Sequence, residues 1–247
     1  MSNFLHLQCR LPRLVFLLPV TLLVIFTLLL VVLVGRADAG VQQRSIVDVL
    51  MHYRVKVALR LQPRFKFANV AWPPREVTLV AFKDTRQLEL WARDDGDWVH
   101  IKDYRIKGIS GHPGPKLKEG DRQVPEGRYR IELLNPNSAF HLSLKLNYPN
   151  AFDREKAQQE GRRNLGGDIF IHGDRVSRGC LAMGDTAVEE LFVLTGMLGM
   201  DKVSVLISPR DFRFRPALPL HPDAPAWVAG LHRRIALNLQ KFPLELK

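Results

Sequence analysis

The chain has 247 residues, of which 46% are hydrophobic and 25% are charged, a globular composition that excludes a disordered or collagen-like chain. Lysine and arginine number 36 against 25 aspartates and glutamates, which gives a formal net charge of +11. The length fits one domain with an extension, or two small domains, and two cysteines exclude a small disulfide-stapled scaffold.

A hydrophobic segment without charged residues extends over positions 14–34. Folded as a helix it would be roughly 30 Å long, at about 1.5 Å per residue, which is the thickness of a bilayer's hydrocarbon core. Arg10 and Arg13 precede the segment and Arg36 follows it, and this bias predicts a cytoplasmic location for residues 1–13. We therefore expect an inner-membrane anchor at 14–34, with the rest of the chain in the periplasm.

A secretory signal segment is the alternative for the same residues. The uncharged run is longer than the core of about 7–15 residues that such segments usually have, which favours the anchor. Ala37-Asp38-Ala39 nevertheless forms an A-x-A pattern, so cleavage after Ala39 and release into the periplasm stays open. A buried core helix is disfavoured, because the segment has no polar face to meet water.

The exported part would be basic, since residues 1–36 hold three arginines and no acidic residue and leave a net charge of +8 for the remainder. This charge suits an anionic polymer such as the cell wall, or anionic lipid headgroups, and nucleic acid is not expected as a partner there. Cys180 would be the one cysteine of the exported part. It is interpreted either as a reactive thiol or as a small buried hydrophobic side chain.

A helical linker is predicted at 35–62. Ser45 and Asp48 resemble a capping box, and apolar residues after them recur at the spacing of one helical face. Pro63 is expected to end this region.

A catalytic domain rich in β-strands is predicted at 63–210. Strands are expected at 77–82, 88–92, 98–101, 129–133, 141–146, 168–172 and 203–207, and helices at 153–160 and 186–198. Glycines, prolines and charges between 108 and 127 predict a long loop, of a length that is often functional. A C-terminal extension at 211–247 should contain a helix with Pro225 in its first turn. The fold class is therefore mainly β with peripheral helices, an α+β protein.

The segment from His172 to Cys180 carries the residues with catalytic chemistry. His172 ends a predicted strand, and Cys180 follows eight residues later across a turn that contains Gly173 and Gly179. These glycines let the chain fold back and bring the thiol near the imidazole. A free thiol is mostly protonated at neutral pH, so a nucleophilic cysteine needs a neighbouring base or cation. We interpret the pair as nucleophile and base.

Neighbouring residues extend this hypothesis. The amides of Gly179 and Cys180 lie where an oxyanion hole would form, and Arg178 can hold a substrate carboxylate in a two-pronged contact. The alternative is structural, with His172 ending a strand and Cys180 filling the core. A zinc site would need three or four ligands, and no second cluster supports His172, Asp174 and Cys180, so we expect no metal and no cofactor.

Ile171-His172-Gly173 followed by Ser177-Arg178-Gly179-Cys180 resembles the signature of the L,D-transpeptidase catalytic (YkuD) domain family. The resemblance covers most of residues 60–210. Gly114-Pro115-Lys116 and Leu146-Asn147-Tyr148-Pro149-Asn150 look like a narrower branch, the YafK-like murein transpeptidases. The family resemblance implies an L,D-transpeptidase-like β-sandwich, which the expected N-terminal transmembrane helix would precede.

The resemblance also implies roles for single residues. Cys180 would be the acylated nucleophile, His172 the general base, and Gly173 the residue whose carbonyl orients that base. Ser177 and Gly179 belong to the same signature.

Two positions depart from the common family pattern. Arg178 stands where many members have a second histidine, and Ala182 stands where many have an arginine. These departures leave the nucleophile and base intact but leave the substrate and the direction of the reaction open.

The expected function is that of a cell-envelope cysteine enzyme that acts on peptidoglycan stem peptides through a thioester on Cys180, forming or cleaving L,D-amide bonds. Candidate partners for substrate carboxylates are Arg162, Arg163, Arg175 and Arg178. One alternative is a hydrolase that detaches a wall-linked lipoprotein from peptidoglycan. The others are a non-catalytic, membrane-tethered wall-binding module and a scaffold subunit of an envelope complex.

Overall fold

The computed structural model describes Phe26, residues 43–216 and residues 220–243. From Arg44 onwards these residues belong to one compact unit. The predicted cytoplasmic residues 1–13 and membrane segment 14–34 lie outside the described part, apart from Phe26. Within the part that is described, no helix combines the length and the apolar character needed to cross a membrane.

Between residues 43 and 243, the described ranges form four α-helices, one short 3-10 helix and eight strands. The helices are α1 (Ile46–Phe67), α2 (Ala151–Gln159), α3 (Asp185–Leu198) and α4 (Trp227–Leu239), with the 3-10 helix at Met200–Lys202. The strands are β1 (Glu76–Phe82), β2 (Gln87–Arg93), β3 (Val99–Arg105), β4 (Gly127–Asn135), β5 (Ser143–Leu146), β6 (Phe170–His172), β7 (Leu181–Ala182) and β8 (Val203–Ser208).

All eight strands join one mixed sheet in the order β3-β2-β1-β8-β4-β5-β6-β7. β1 runs parallel to β8 and β6 parallel to β7, and the other neighbours are antiparallel. β4 joins the two halves, because it pairs with β8 through its first residues and with β5 through its last. The result is a half-barrel with four helices. The predicted β-rich fold with peripheral helices is confirmed, but the expected sandwich is wrong, since helices rather than a second sheet cover the faces.

The centre of the sheet is buried on both faces. In β1, Leu79 and Ala81 belong to a large core that includes side chains of α1 and α3, whereas Val80 and Phe82 belong to a second core that includes α4. Successive residues of a strand point to opposite faces, so one strand contributes to two cores. In the sequence, this burial on both faces corresponds to the run at 77–82, in which every residue except Thr78 is apolar.

The capping box predicted at Ser45 and Asp48 is present at the start of α1, but the helix extends beyond its predicted end. Ser45 and Asp48 form the predicted capping box, each side chain accepting from the other residue's backbone amide. The helix continues through Pro63 to Phe67. Proline removes one helical hydrogen bond, and burial of Phe65 in the core beyond it offsets that loss.

The spacing of Thr186 and Glu189 predicts a second capping box, and this prediction is wrong. α3 begins at Asp185, and its N-cap is Gly184, whose φ of 78° is a left-handed conformation that glycine adopts without strain. β7 ends at Ala182, only two residues earlier. The short connection from the sheet, rather than a local side-chain cap, therefore sets the start of this helix.

A buried ionic cluster fastens α4 to the sheet. Glu126, next to β4, accepts from Nζ of Lys83 at 3.0 Å and from Nε2 of His232 at 2.8 Å, and all three side chains are buried. Burial alone would raise the pKa of Glu126, but Lys83 and His232 outweigh it and hold the pKa below its ordinary value. Removing one partner of such a cluster leaves an uncompensated buried charge. The helix of the predicted extension 211–247 is thus attached to the sheet.

The first turn of α2 contains a carboxyl group with a shifted pKa. Asp153 accepts from the amide of Asn150 and the hydroxyl of Tyr129, yet burial outweighs these bonds and raises its pKa from 3.8 to about 6. Because the folded-state pKa exceeds the unfolded one, the folded state binds this proton more tightly. The stabilisation is present at low pH and is lost as the pH rises through that window.

We predict that Asp153→Asn removes this pH dependence. Between about pH 4 and pH 6, the free energy of unfolding of the wild type should fall by about 2 kcal/mol relative to the variant. Denaturant unfolding of both proteins across this range measures the difference. A difference that does not change with pH would contradict the assignment.

Candidate active site

The neighbouring strands β6 and β7 bring the predicted nucleophile and base together. His172 is the last residue of β6 and pairs with Ala182, and Cys180 immediately precedes β7. Ile171 and Leu181, at the alternate positions, are fully buried in the core, so His172 lies on the opposite face of the sheet, where it is still only 2% exposed. Strand spacing of about 4.8 Å and a rise of about 3.3 Å per residue put the Cα atoms of His172 and Cys180 roughly 8 Å apart.

The imidazole of His172 is held in one orientation. Its Nδ1 donates to the carbonyl oxygen of Gly173 at 2.6 Å, and its ring packs at a tilt on Phe140, with 4.7 Å between centroids. Because a carbonyl only accepts, Nδ1 carries the proton and Nε2 has the lone pair. This contact matches the orienting role that the family resemblance assigns to Gly173.

The thiol of Cys180 is partly buried and unpaired. Its hydrogen bond goes to the carbonyl oxygen of Asp168, with 3.7 Å between sulfur and oxygen. Among the described residues, no hydrogen bond joins this thiol to the imidazole of His172. The structure therefore places the two residues on neighbouring strands, and reaction requires Sγ to turn from Asp168 towards Nε2.

The two backbone amides that were expected to form the oxyanion hole donate hydrogen bonds to serine side chains instead. Oγ of Ser177 accepts from the amide of Cys180 at 3.1 Å and donates to the carbonyl of the same residue at 2.6 Å. The amide of Gly179 donates to Oγ of Ser110 at 2.6 Å. An oxyanion could use these amides only after both bonds break, so the predicted hole is not present in this arrangement. Ser177 and Gly179 instead shape the turn that carries Cys180.

Burial determines the protonation of both groups. It raises the pKa of the Cys180 thiol, and the smaller opposing effect of the Phe170 amide does not cancel it. Burial also lowers the pKa of His172, against the effects of the Gly173 carbonyl and Asp174. Near neutral pH the site therefore holds a thiol beside a neutral imidazole. Proton transfer to His172 has to accompany attack by the sulfur.

The four arginines predicted to bind substrate lie in different environments. Arg162 pairs with Glu160 at 2.7 Å and donates to a loop carbonyl at 2.8 Å, so its guanidinium has a structural function. Arg163, Arg175 and Arg178 are exposed to solvent. Arg175 also lines a cleft of about 490 Å³. For these three exposed residues, contact with substrate stays a prediction.

Sequence reasoning missed the residues that reach the site from other elements. Phe140 packs on the imidazole, Ser110 receives the amide before the nucleophile, and Asp168 receives the thiol. Asp185 accepts from the amide of Asp174 at 2.9 Å. Only Ser110 had a signal, because it belongs to the long loop expected to be functional. In the described ranges, no group of three or more histidine, cysteine, aspartate or glutamate side chains is placed to hold a metal ion.

We predict that Gly173→Ala disrupts the site. An added Cβ would lie 2.6 Å from Oδ1 of Asp185 and 2.6 Å from the carbonyl oxygen of Phe140, and such overpacking costs about 1–3 kcal/mol of unfolding free energy. Denaturant unfolding measures the loss. Gly167→Ala is the matched control, because an added Cβ there meets no atom within 4 Å. Equal stability of the two variants would contradict the prediction.

A family profile and a known protein each match more than half of this chain. The YkuD family profile, described as the L,D-transpeptidase catalytic domain, matches residues 76–205, more than half of the chain. An Escherichia coli protein named "Putative L,D-transpeptidase YafK" is 34% identical over 144 residues, which cover 57% of this chain and 56% of that protein. The chain thus matches little more than half the length of this relative.

Two solved structures are similar over part of the chain. The helical cell shape determining protein Pgp2 from Campylobacter jejuni has 24% identity and a TM-score of 0.45, over 55% of this chain and 48% of that one. Bd1075 from Bdellovibrio bacteriovorus has 19% identity and a TM-score of 0.42, over 70% and 57%.

The family profile begins at β1, ends within β8 and includes both His172 and Cys180. The resemblance stated from the sequence motifs is confirmed. This chain belongs to the YkuD family of L,D-transpeptidase catalytic domains.

Proposed function

We propose that this protein is a cysteine enzyme that acts on peptidoglycan stem peptides and forms or cleaves L,D-amide bonds through a thioester on Cys180. The observation that carries the proposal is the 2.6 Å hydrogen bond from Nδ1 of His172 to the carbonyl of Gly173. It fixes the tautomer whose Nε2 is basic, on a strand paired with the one that follows Cys180. A base in this position is what a thiol nucleophile requires.

The proposed reaction has two halves. Sγ of Cys180 attacks the carbonyl carbon of an L-centre whose amide joins it to a D-centre, and the thiol proton passes to Nε2 of His172. The C–N bond then breaks, and the imidazolium returns the proton to the departing amine. In the second half an amine or water attacks the thioester, His172 takes the proton of this acceptor, and the leaving thiolate recovers it.

The acceptor decides between two activities. An amine gives a new cross-link, whereas water gives cleavage, which includes release of a lipoprotein linked to peptidoglycan. The side chain of Asp168, whose carbonyl receives the thiol, is 80% exposed. Water therefore has access beside the nucleophile, and this observation favours hydrolysis as the second candidate function.

We further propose that the catalytic unit acts in the periplasm, where its polymeric substrate lies. The uncharged run at 14–34 would serve as an inner-membrane anchor or as a signal segment. The net charge of +8 that remains when the three arginines of residues 1–36 are left out supports contact with an anionic wall polymer.

We predict that Cys180→Ala abolishes activity on isolated sacculi, because the attacking atom is removed. Mass analysis of the products measures the activity and also its direction. New bridges indicate transpeptidation, and lost cross-links or freed lipoprotein indicate hydrolysis. Cys9→Ser, at the other cysteine of the chain, is the matched control and should retain activity. Turnover that survives in Cys180→Ala would contradict the assignment of Cys180 as the nucleophile.

We predict that alkylation of Cys180 by iodoacetamide, measured in the Cys9→Ser background, accelerates continuously from about pH 6 to pH 9. Burial raises the thiol pKa, so the thiolate fraction should grow about tenfold per pH unit below that pKa. A plateau of alkylation near pH 7 would instead reveal a preformed thiolate–imidazolium pair.

We predict that His172→Ala lowers turnover on sacculi by roughly 10²- to 10⁴-fold, because the general base is lost.

A further inference from the structure

The face of the sheet that carries His172 also carries a lysine that the proposed reaction does not use. In the β5–β6 pair, Lys145 lies opposite Phe170 and Ser143 lies opposite His172. Leu144, at the alternate position of β5, is fully buried in the core. Since side chains alternate along a strand, Lys145 lies on the same face of the sheet as the proposed base.

Asp168 connects this lysine to the proposed nucleophile. Oδ1 of Asp168 lies 3.0 Å from Nζ of Lys145, and its carbonyl oxygen receives Sγ of Cys180 at 3.7 Å. The φ of Asp168 is 54°, in the left-handed region that few non-glycine residues adopt. One residue thus touches both the thiol and the ammonium, so a peptide bound at the thiol passes close to Lys145.

The ion pairs of Lys145 are open to exchange. The side chain of Asp168 is 80% exposed, and that of Glu132, a second carboxylate at 3.5 Å, is 45% exposed. Exposed ion pairs contribute little to stability, because water solvates both partners well when they separate. The lysine side chain itself is only 26% exposed, so its position is more restricted than that of its partners. An incoming carboxylate can therefore replace Asp168 without disturbing the fold.

We propose that Lys145 binds a carboxylate of the stem peptide, beside the amide bond that Cys180 attacks, and that this carboxylate displaces Asp168. The inference rests on the proposed function and names a specificity-determining residue for it. An ammonium donates well to a free carboxylate and has no comparable interaction with a carboxamide. Arg162, one of the residues expected from the sequence to do this, already pairs with Glu160.

The test compares two synthetic stem tetrapeptides that differ only in the carboxyl group of the diaminopimelate side chain, which is free in one and amidated in the other. The wild type should process the free acid with a kcat/KM about tenfold higher. Lys145→Gln should lose this preference through a higher KM for the free acid, and Lys145→Arg should retain it. Asp168→Asn should not raise that KM, because it removes the competing carboxylate.

Lys156→Gln is the matched control, because Lys156 is also a partly exposed lysine paired with a carboxylate, and it belongs to α2 rather than to a strand next to β6. It should keep the wild-type preference. Preference retained in Lys145→Gln would overturn this inference and leave the proposed function standing. If the wild type processes neither peptide, both proposals fail together. Unchanged iodoacetamide labelling of Cys180 in Lys145→Gln would show that the nucleophile itself is intact, so that a lost preference belongs to Lys145.

Discussion

The site depends on the pairing of β6 between β5 and β7. β6 has only three residues, and a backbone hydrogen bond contributes about 0.5–1.5 kcal/mol, so pairing alone holds it weakly. Ile171 at its centre is fully buried between Leu144 and Leu181 on the neighbouring strands. Burial of this one side chain adds about 2 kcal/mol and fixes which face His172 occupies. A shift of one residue in the register would move the imidazole into the core.

Burial has a second effect at the same place, because near neutral pH it keeps the thiol of Cys180 and the imidazole of His172 uncharged. A low-dielectric environment disfavours the thiolate of Cys180 and the imidazolium of His172 alike. A protonated thiol reacts slowly with oxidants and stray electrophiles. A site of this kind gains reactivity when a substrate brings the carbonyl carbon, the thiol and Nε2 into one line of proton transfer, which makes positioning of the substrate the decisive step.

The rest of the molecule supplies a fixed frame for this edge of the sheet. Glu190 of α3 is fully buried. It accepts hydrogen bonds from Tyr104 and Lys102 of β3 and forms an ion pair with Arg60 of α1. This one carboxylate therefore connects two helices to the sheet on the inner face. On the opposite face the cluster around Glu126 connects α4. Because the inner face is committed to packing, the substrate of the proposed function would approach the thiol from the opposite face, next to β6 and β7.

Local patterns in the sequence determined much of this protein. Three local patterns predicted three features of the fold and site, because each pattern depends on residues that are close in the chain. The run at 77–82 predicted a strand, the capping box at Ser45 predicted a helix start, and the His172–Cys180 spacing predicted a candidate pair of catalytic residues. The family followed from the same short motif. Tertiary structure decided what depends on residues far apart in sequence. It extended α1 past Pro63 through burial of Phe65 and paired the amide of Gly179 with Ser110. It also paired Lys145 with Asp168, whose carbonyl receives the thiol of Cys180. These contacts join positions that are remote along the chain, and strand register, which brings them together, is fixed by the packing of the whole sheet rather than by any local segment.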